Sequence, residues 1–411
     1  MKSIRDLFKI GKGPSSSHSI GPERAAGIFR KENPKADSFK VRLYGSLSKT
    51  GKGHGTDRVL YEVLSPLPTE VIFEKEMPVD VKHPNTMDFY AFKDGEEIAR
   101  MRAESIGGGD IRLEGKQASE SKDIYLEHTF AEVAQFCRFR SIDLAEYVEL
   151  NEGPDIWDFL GKIWKAMKNS VEEGLKGEGI LPGPLKVHRK AKNLLNQVNL
   201  DNVPQVRECK LLAAYAYAVS EQNADCGTIV TAPTCGACGV LPASLYYIQK
   251  EKNLSDDEIL KGLAVAGLIG TMIKKNASIS GAECGCQAEI GSACSMAAAA
   301  LSYMFGLRTD QIESAAEIAL EHHLGLTCDP ICGLVQVPCI ERNAVAAMRA
   351  MNACNLAYFL SDTQRISFDI VVKTMYETGI SMNHRFRETA EGGLAKMYDR
   401  KKDDEIGRAH V

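Results

Sequence analysis

SISGAECGCQAEIGSACSMAAAA, from Ser278 to Ala300, and LGLTCDPICGLVQVPCIERN, from Leu324 to Asn343, bracket the stretch on which the fold reading turns. Six of the twelve cysteines lie here: Cys284, Cys286, Cys294, Cys328, Cys332 and Cys339. Gly and Pro beside them predict turns or helix ends as their carriers. Thiols gathered by turns between apolar helices are what a thiolate-ligated metal centre requires. Spacing alone leaves a second reading open, because free cysteine is a small apolar residue that is often buried. No C-x-x-C pair repeats in the stretch as it does in zinc ribbons.

Outward from this stretch, apolar residues recur at three and four spacings all the way back to Tyr125. TFAEVAQFCRFRSIDLAEYVEL (129–150), PDIWDFLGKIWKAMKNSVEEGL (154–175) and VRECKLLAAYAYAVSEQ (206–222) each read as helices. Ala-rich, Gly-interrupted runs such as LKGLAVAGLIG (260–270) suit closely packed interior helices. Upstream the pattern changes. FKVRLYG (39–45) and EVIFEKE (70–76) read as strands, and MDFYAF followed by KDGEEIARMRAESI as a hairpin turning at Asp94–Gly95. A GGGD turn and a last strand, IRLEG, follow. The expected fold is multidomain α+β: a small α+β domain over 1–116, a polar linker over 117–124, and a large, mostly helical domain over 125–411.

Composition narrows the function classes. A formal net charge of −5 and a pI near 6.1 give no electrostatic footprint for nucleic acid or an anionic membrane. No apolar run suits a signal peptide, and the longest, near Leu263–Ile273 and Met296–Leu301, are too short to cross a bilayer. Twelve cysteines without a secretory signal predict reduced thiols in a cytoplasm rather than a disulfide framework.

Three further motifs carry chemistry. GPSSSHS (Gly13–Ser19) sets Ser15, Ser16, Ser17 and His18 just before the helical segment GPERAAGIFRKE. Hydroxyls, an imidazole and free N–H groups at a helix start suit an anion, and equally an ordinary N-cap. GSLSKTGKGHGTD (Gly45–Asp57) is not a phosphate loop, since five residues rather than four precede its Gly51. It reads as a flexible Gly-rich loop presenting Lys52 and His54 to another domain. TAPTCGACGVLPA (Thr231–Ala243) places Cys235 and Cys238 in C-x-x-C spacing, with neither a thioredoxin-type context nor a second pair to complete a zinc set.

Taken together, SISGAE-x-GCQ-x-E, LTCDP, GLVQVPCIERN, GPSSSH-x-x-GP, GKGHGTD and T-A-P-T closely resemble the signature segments of the iron–sulfur-dependent L-serine dehydratases, in the family's order and over nearly the whole chain. The resemblance implies a [4Fe-4S] cluster on Cys286, Cys328 and Cys339, with one iron left open for the serine hydroxyl. It implies substrate contacts from Ser15, Ser16, Ser17, Thr234 and Ser280, and proton handling by His18, His54 or Lys274, with Lys275 beside it. The products would be pyruvate and ammonia, the active site would lie where the two domains meet, and a homodimer is expected. Threonine or another 3-hydroxy amino acid is the alternative substrate, and a zinc-stapled helical binding protein the alternative class. Cys235, Cys238, Cys284 and Cys332 depart from the family pattern, which has Asn, a small residue, Val and Gly there. Some members end in a cysteine that covers the open iron. Here the last cysteine is Cys354 and the chain closes DDEIGRAHV, so water or a surplus thiol is expected on that iron, with His410 the one imidazole near the terminus.

Overall fold

A computed structural model describes residues 1–81, 83, 85–115, 122–197, 203–360 and 363–398. Contacts divide the chain into two compact units, Gly11–Ser121 and Met1–Ile10 together with Lys122–Val411. The expected multidomain α+β architecture is present. Residues 117–121 of the linker read over 117–124, and the tail with His410, fall outside the described residues.

The small unit is a five-stranded sheet. Thr69–Phe73 forms one edge and pairs parallel with Ser38–Leu43, which pairs antiparallel with Thr86–Lys93. Glu96–Gly107 and then Asp110–Leu113 complete it, both antiparallel. The hairpin turns at Asp94 and Gly95, whose φ values of 53° and 83° are those a primed two-residue turn needs. Strict alternation along Ser38–Leu43 sends Phe39, Val41 and Leu43 inward, against Phe29 of helix Gly21–Glu32 and Leu60 of helix Thr56–Leu64. On the opposite face Arg42, Asp88 and Arg102 share one cross-strand row, and Arg102 grips buried Asp88 at 2.7 and 2.9 Å. One expectation needs correction: the flexible loop read over Gly45–Asp57 is largely ordered. Gly45–Thr50 is helical, because Leu47 is drawn fully into the core, and Lys52 lies over the Phe73 ring at 5.4 Å.

In the helical unit, Ser292–Met304 is the central element, buried continuously from Ser292 to Ser302. Asp256–Asn276, Thr309–Glu321, Cys339–Phe359 and Val240–Lys252 surround it. Its Ala-rich sequence explains the placement: small side chains let four helices approach one axis closely. Glycines serve the same end, and a Cβ at Gly174 would lie 2.1 Å from the Ala218 carbonyl of the crossing helix.

The first ten residues belong here rather than to the small unit. Ile4, Leu7 and Phe8 are buried against Gly267 and Gly270, where added methyls would come within 3.0 Å of Phe8 and 2.5 Å of Leu7. Thr231 holds the segment by accepting from the Lys9 N–H and donating to the Leu7 carbonyl. Among the described residues, no helix is long and apolar enough to cross a membrane.

Candidate active site and metal centre

Three turns bring the predicted thiols together. Cys286 immediately precedes the one-turn π-helix Gln287–Gly291, Cys328 lies in the turn after Thr309–Glu321, and Cys339 opens helix Cys339–Phe359. All three are buried. A thiol at a helix start meets the positive end of the peptide dipoles, which favours thiolate. Burial acts the other way and pushes Cys339 well above the ordinary thiol range, with Cys286 adding to it. Cys328 is raised too, first by its hydrogen bond with Cys286 and then by burial.

Glu289 joins them, a residue to which the sequence reading gave no role. Its Oε2 is 3.9 Å from Cys286 Sγ and 3.8 Å from Cys328 Sγ, and its Oε1 accepts from Thr234 Oγ1 at 2.7 Å. Enclosure by protein raises the carboxyl, against the Thr234 hydrogen bond. The signal in the sequence was the three-residue step from Cys286 to Glu289, which sets both on one side of a helical turn.

The scaffold around the thiols is tightly hydrogen-bonded. Arg342 donates to Thr327 O at 2.6 Å and to Asp329 Oδ1 at 3.1 Å. Burial would lower its guanidinium, but Cys286 and Cys339 outweigh that and raise it. Asp329 Oδ2 accepts from the Leu394 N–H, and a Cβ on Gly393 would lie 2.1 Å from that oxygen. The backbone of Cys328 is clamped on both sides, donating to Phe386 O and accepting from the Glu388 N–H, each at 2.7 Å. Buried Asn343 bonds Gly236 O, Cys339 O and the Gly239 N–H, tying the Thr231–Gly239 loop to the helix that begins at Cys339.

Of the other predicted residues in this unit, Thr234 is buried and bonded to Glu289, while Ser280 stands at the N-cap position of the short helix Gly281–Cys284 without a side-chain capping bond. Lys274 donates to the Asp6 carbonyl of the N-terminal segment. The surplus thiols scatter. Cys235 and Cys238 are buried in the turn before Val240–Lys252, where burial and then Cys235 push Cys238 up. Cys284 packs on Gly379, and Cys332 is exposed with φ 55°. Cys294 is not on a turn but inside the central helix, 3.2 Å from Ala346 O.

The small unit carries its own cluster. Ser15 caps the turn Ser16–Ile20, which runs on into helix Gly21–Glu32. His18 Nδ1 lies 3.3 Å from Ser15 Oγ and its Nε2 3.2 Å from Ser46 Oγ. The His54 ring stands 4.7 Å from that of His18, and the His18 carbonyl accepts from Thr56 Oγ1 at 2.6 Å. Burial, and then His54, lower His18 to about 3. Ser16 is buried and Ser17 half-buried beside them.

Comparison with known proteins bears on both units. Residues 3–71 match the serine dehydratase beta chain family and residues 91–395 the serine dehydratase alpha chain family. The L-serine dehydratase TdcG of Escherichia coli K12 is 40% identical, covering 96% of this chain and 99% of that protein. L-serine dehydratases of Streptomyces coelicolor and Haemophilus influenzae are 39% and 40% identical, covering 96% of this chain and 98% and 99% of theirs. With beta-chain and alpha-chain segments in one polypeptide and these relatives matched nearly end to end, the chain belongs to the serine dehydratase family.

Proposed function

We propose that the protein is an L-serine ammonia-lyase, converting L-serine to pyruvate and ammonia, and that Cys286, Cys328 and Cys339 hold a [4Fe-4S] cluster. The observation that carries this reading is the burial of three thiols, from three separate turns, around Glu289 and Arg342. A three-thiolate donor set fits a cluster with one open iron, and the raised thiols of Cys328 and Cys339, which give up their protons on metal binding, fit an acquired group. When bound, the cluster supplies a Lewis acid for the departing hydroxyl.

The chain's own residues do the rest. Thr234 and Glu289 line the thiol group with a hydroxyl and a carboxylate, and Ser280 adds a second hydroxyl on its helix cap. In the small unit, Ser15, Ser16 and Ser17 offer hydroxyls and helix-start N–H groups suited to a carboxylate. A base must take the Cα proton as hydroxide leaves. His18, held near 3, is too weak for that task and orients, while His54, its ring 4.7 Å away, is assigned the proton. Lys274 is retained as a weaker candidate, since its ammonium is engaged by the Asp6 carbonyl. The enamine released tautomerises to an imine and hydrolyses without further help. A homodimer in the cytoplasm completes the reading.

Anaerobic reconstitution with iron and sulfide, followed by turnover on serine, threonine and hydroxy-acid analogues, tests it. Iron-dependent ammonia release that is fastest on serine supports the proposal. A colourless zinc protein inert toward all of them overturns it.

A further inference from the structure

L-Serine is a zwitterion. If its hydroxyl meets iron beside Cys286, Cys328 and Cys339, the ammonium on the next carbon needs an anionic partner in the same helical unit. Glu388 is placed for that role by its main chain. Arg387 forms an isolated parallel bridge with Cys328, and the Glu388 N–H bonds the Cys328 carbonyl at 2.7 Å. Glu388 has φ 60°, a left-handed conformation that disfavours any residue with a Cβ. Ala390 at 55° and Gly393 at 54° continue the tight course, which returns to Asp329 through the Leu394 N–H. Strain of this kind persists only where the surroundings hold it, and it gathers at ligand-binding positions.

Arg387 is engaged elsewhere, donating to the Glu283 carbonyl at 3.0 Å. The Glu388 carboxyl makes no hydrogen bond or ion pair among the described residues, and the residue keeps solvent access. Protein crowds it from the other sides: enclosure, and then Glu289, raise it to about 8. Its charge reaches Cys328 and Cys339 as well, adding to the larger causes that already raise them. A cation between two such carboxyls favours the charged form of both. We propose that Glu388, with Glu289 beside it, receives the ammonium group of the substrate and selects amino acids over hydroxy acids, an inference that rests on the L-serine ammonia-lyase function proposed above. The contact is non-covalent. Holding the nitrogen protonated keeps a positive charge next to Cα, which eases removal of the Cα proton by the base.

3-Hydroxypropanoate, which is serine without its ammonium, separates this role from a scaffold role. In reconstituted full-length protein, Glu388→Gln should raise KM for L-serine roughly 10–100-fold, the loss of one hydrogen bond to a charged group. Iron content and the inhibition constant of 3-hydroxypropanoate should stay at their wild-type values, and Glu388→Asp should recover part of the serine affinity. Glu391→Gln, at an exposed position three residues on and 4.0 Å from His384, should match wild type throughout. Equal weakening of serine and 3-hydroxypropanoate would mark damage to the Cys328 scaffold and overturn the assignment. So would an unchanged KM in Glu388→Gln while wild type turns serine over. Wild type without turnover on serine would overturn the proposed function, and the ammonium assignment with it.

Discussion

The histidine pair of the small unit and the thiol group of the helical unit are both buried clusters beside helix starts, yet they are finished to different degrees. His18 has a hydroxyl within reach of each ring nitrogen, a bonded carbonyl and a ring against its face. Its protonation is settled by its surroundings. Cys286 and Cys328 meet Glu289 over sulfur–oxygen contacts of 3.9 and 3.8 Å, while the strong hydrogen bonds hold the scaffold around the thiols. The histidine is fixed through its own side-chain bonds, whereas the thiols are fixed through the backbone and side chains around them.

The comparison breaks first if the histidines prove idle. His54→Ala should lower kcat by roughly 10³–10⁴, and His18→Ala by roughly 10² because it orients rather than transfers. Steady-state rates on serine with unchanged iron content test this, and wild-type rates in both would remove the pair from catalysis. On the thiol side, Asn343→Ala removes three hydrogen bonds made by a buried side chain. It should destabilise the protein by about 3 kcal/mol and loosen iron retention through Cys339. Urea unfolding and iron content after dialysis measure the two effects.

A pH series sharpens the contrast. Burial holds His18 near 3 against an ordinary 6.5. Between those values the unfolded chain takes a proton that the folded chain refuses. Stability therefore falls as pH drops from about 6.5 toward 3, by about 2 kcal/mol at pH 5. Urea midpoints at pH 7 and pH 5 should show this loss in wild type and its removal in His18→Asn. The smallest effect is at Cys332, an exposed non-glycine residue at φ 55°. Cys332→Gly should raise stability by about 1 kcal/mol without changing iron content, as a thermal melt would show.

Much of this was legible in the sequence, for reasons that differ between regions. The helical unit announced itself through periodicity, and the hairpin through Asp94–Gly95, because both signals are local. Cys286, Cys328 and Cys339 stood out in the sequence through their flanking motifs, and all three are buried in the structure. Three things were not. Leu47 makes a helix of a segment whose glycines read as a loop, since a core anchor outweighs local propensity. The N-terminal segment joins the helical unit through a notch at Gly267 and Gly270, more than 250 residues away. Glu289 gains meaning only when Thr234 and Cys328 arrive beside it from other segments. Local chemistry can be read along the chain, but partnership across it needs the fold.

The central claim is that three thiols, and no others, carry the cluster. Iron and acid-labile sulfide, counted after anaerobic reconstitution of Cys286→Ala, Cys328→Ala and Cys339→Ala beside wild type and the exposed-thiol control Cys209→Ala, test it most directly. Wild type and Cys209→Ala should hold full cluster content, and the other three none. Full content in any one of those three would contradict it.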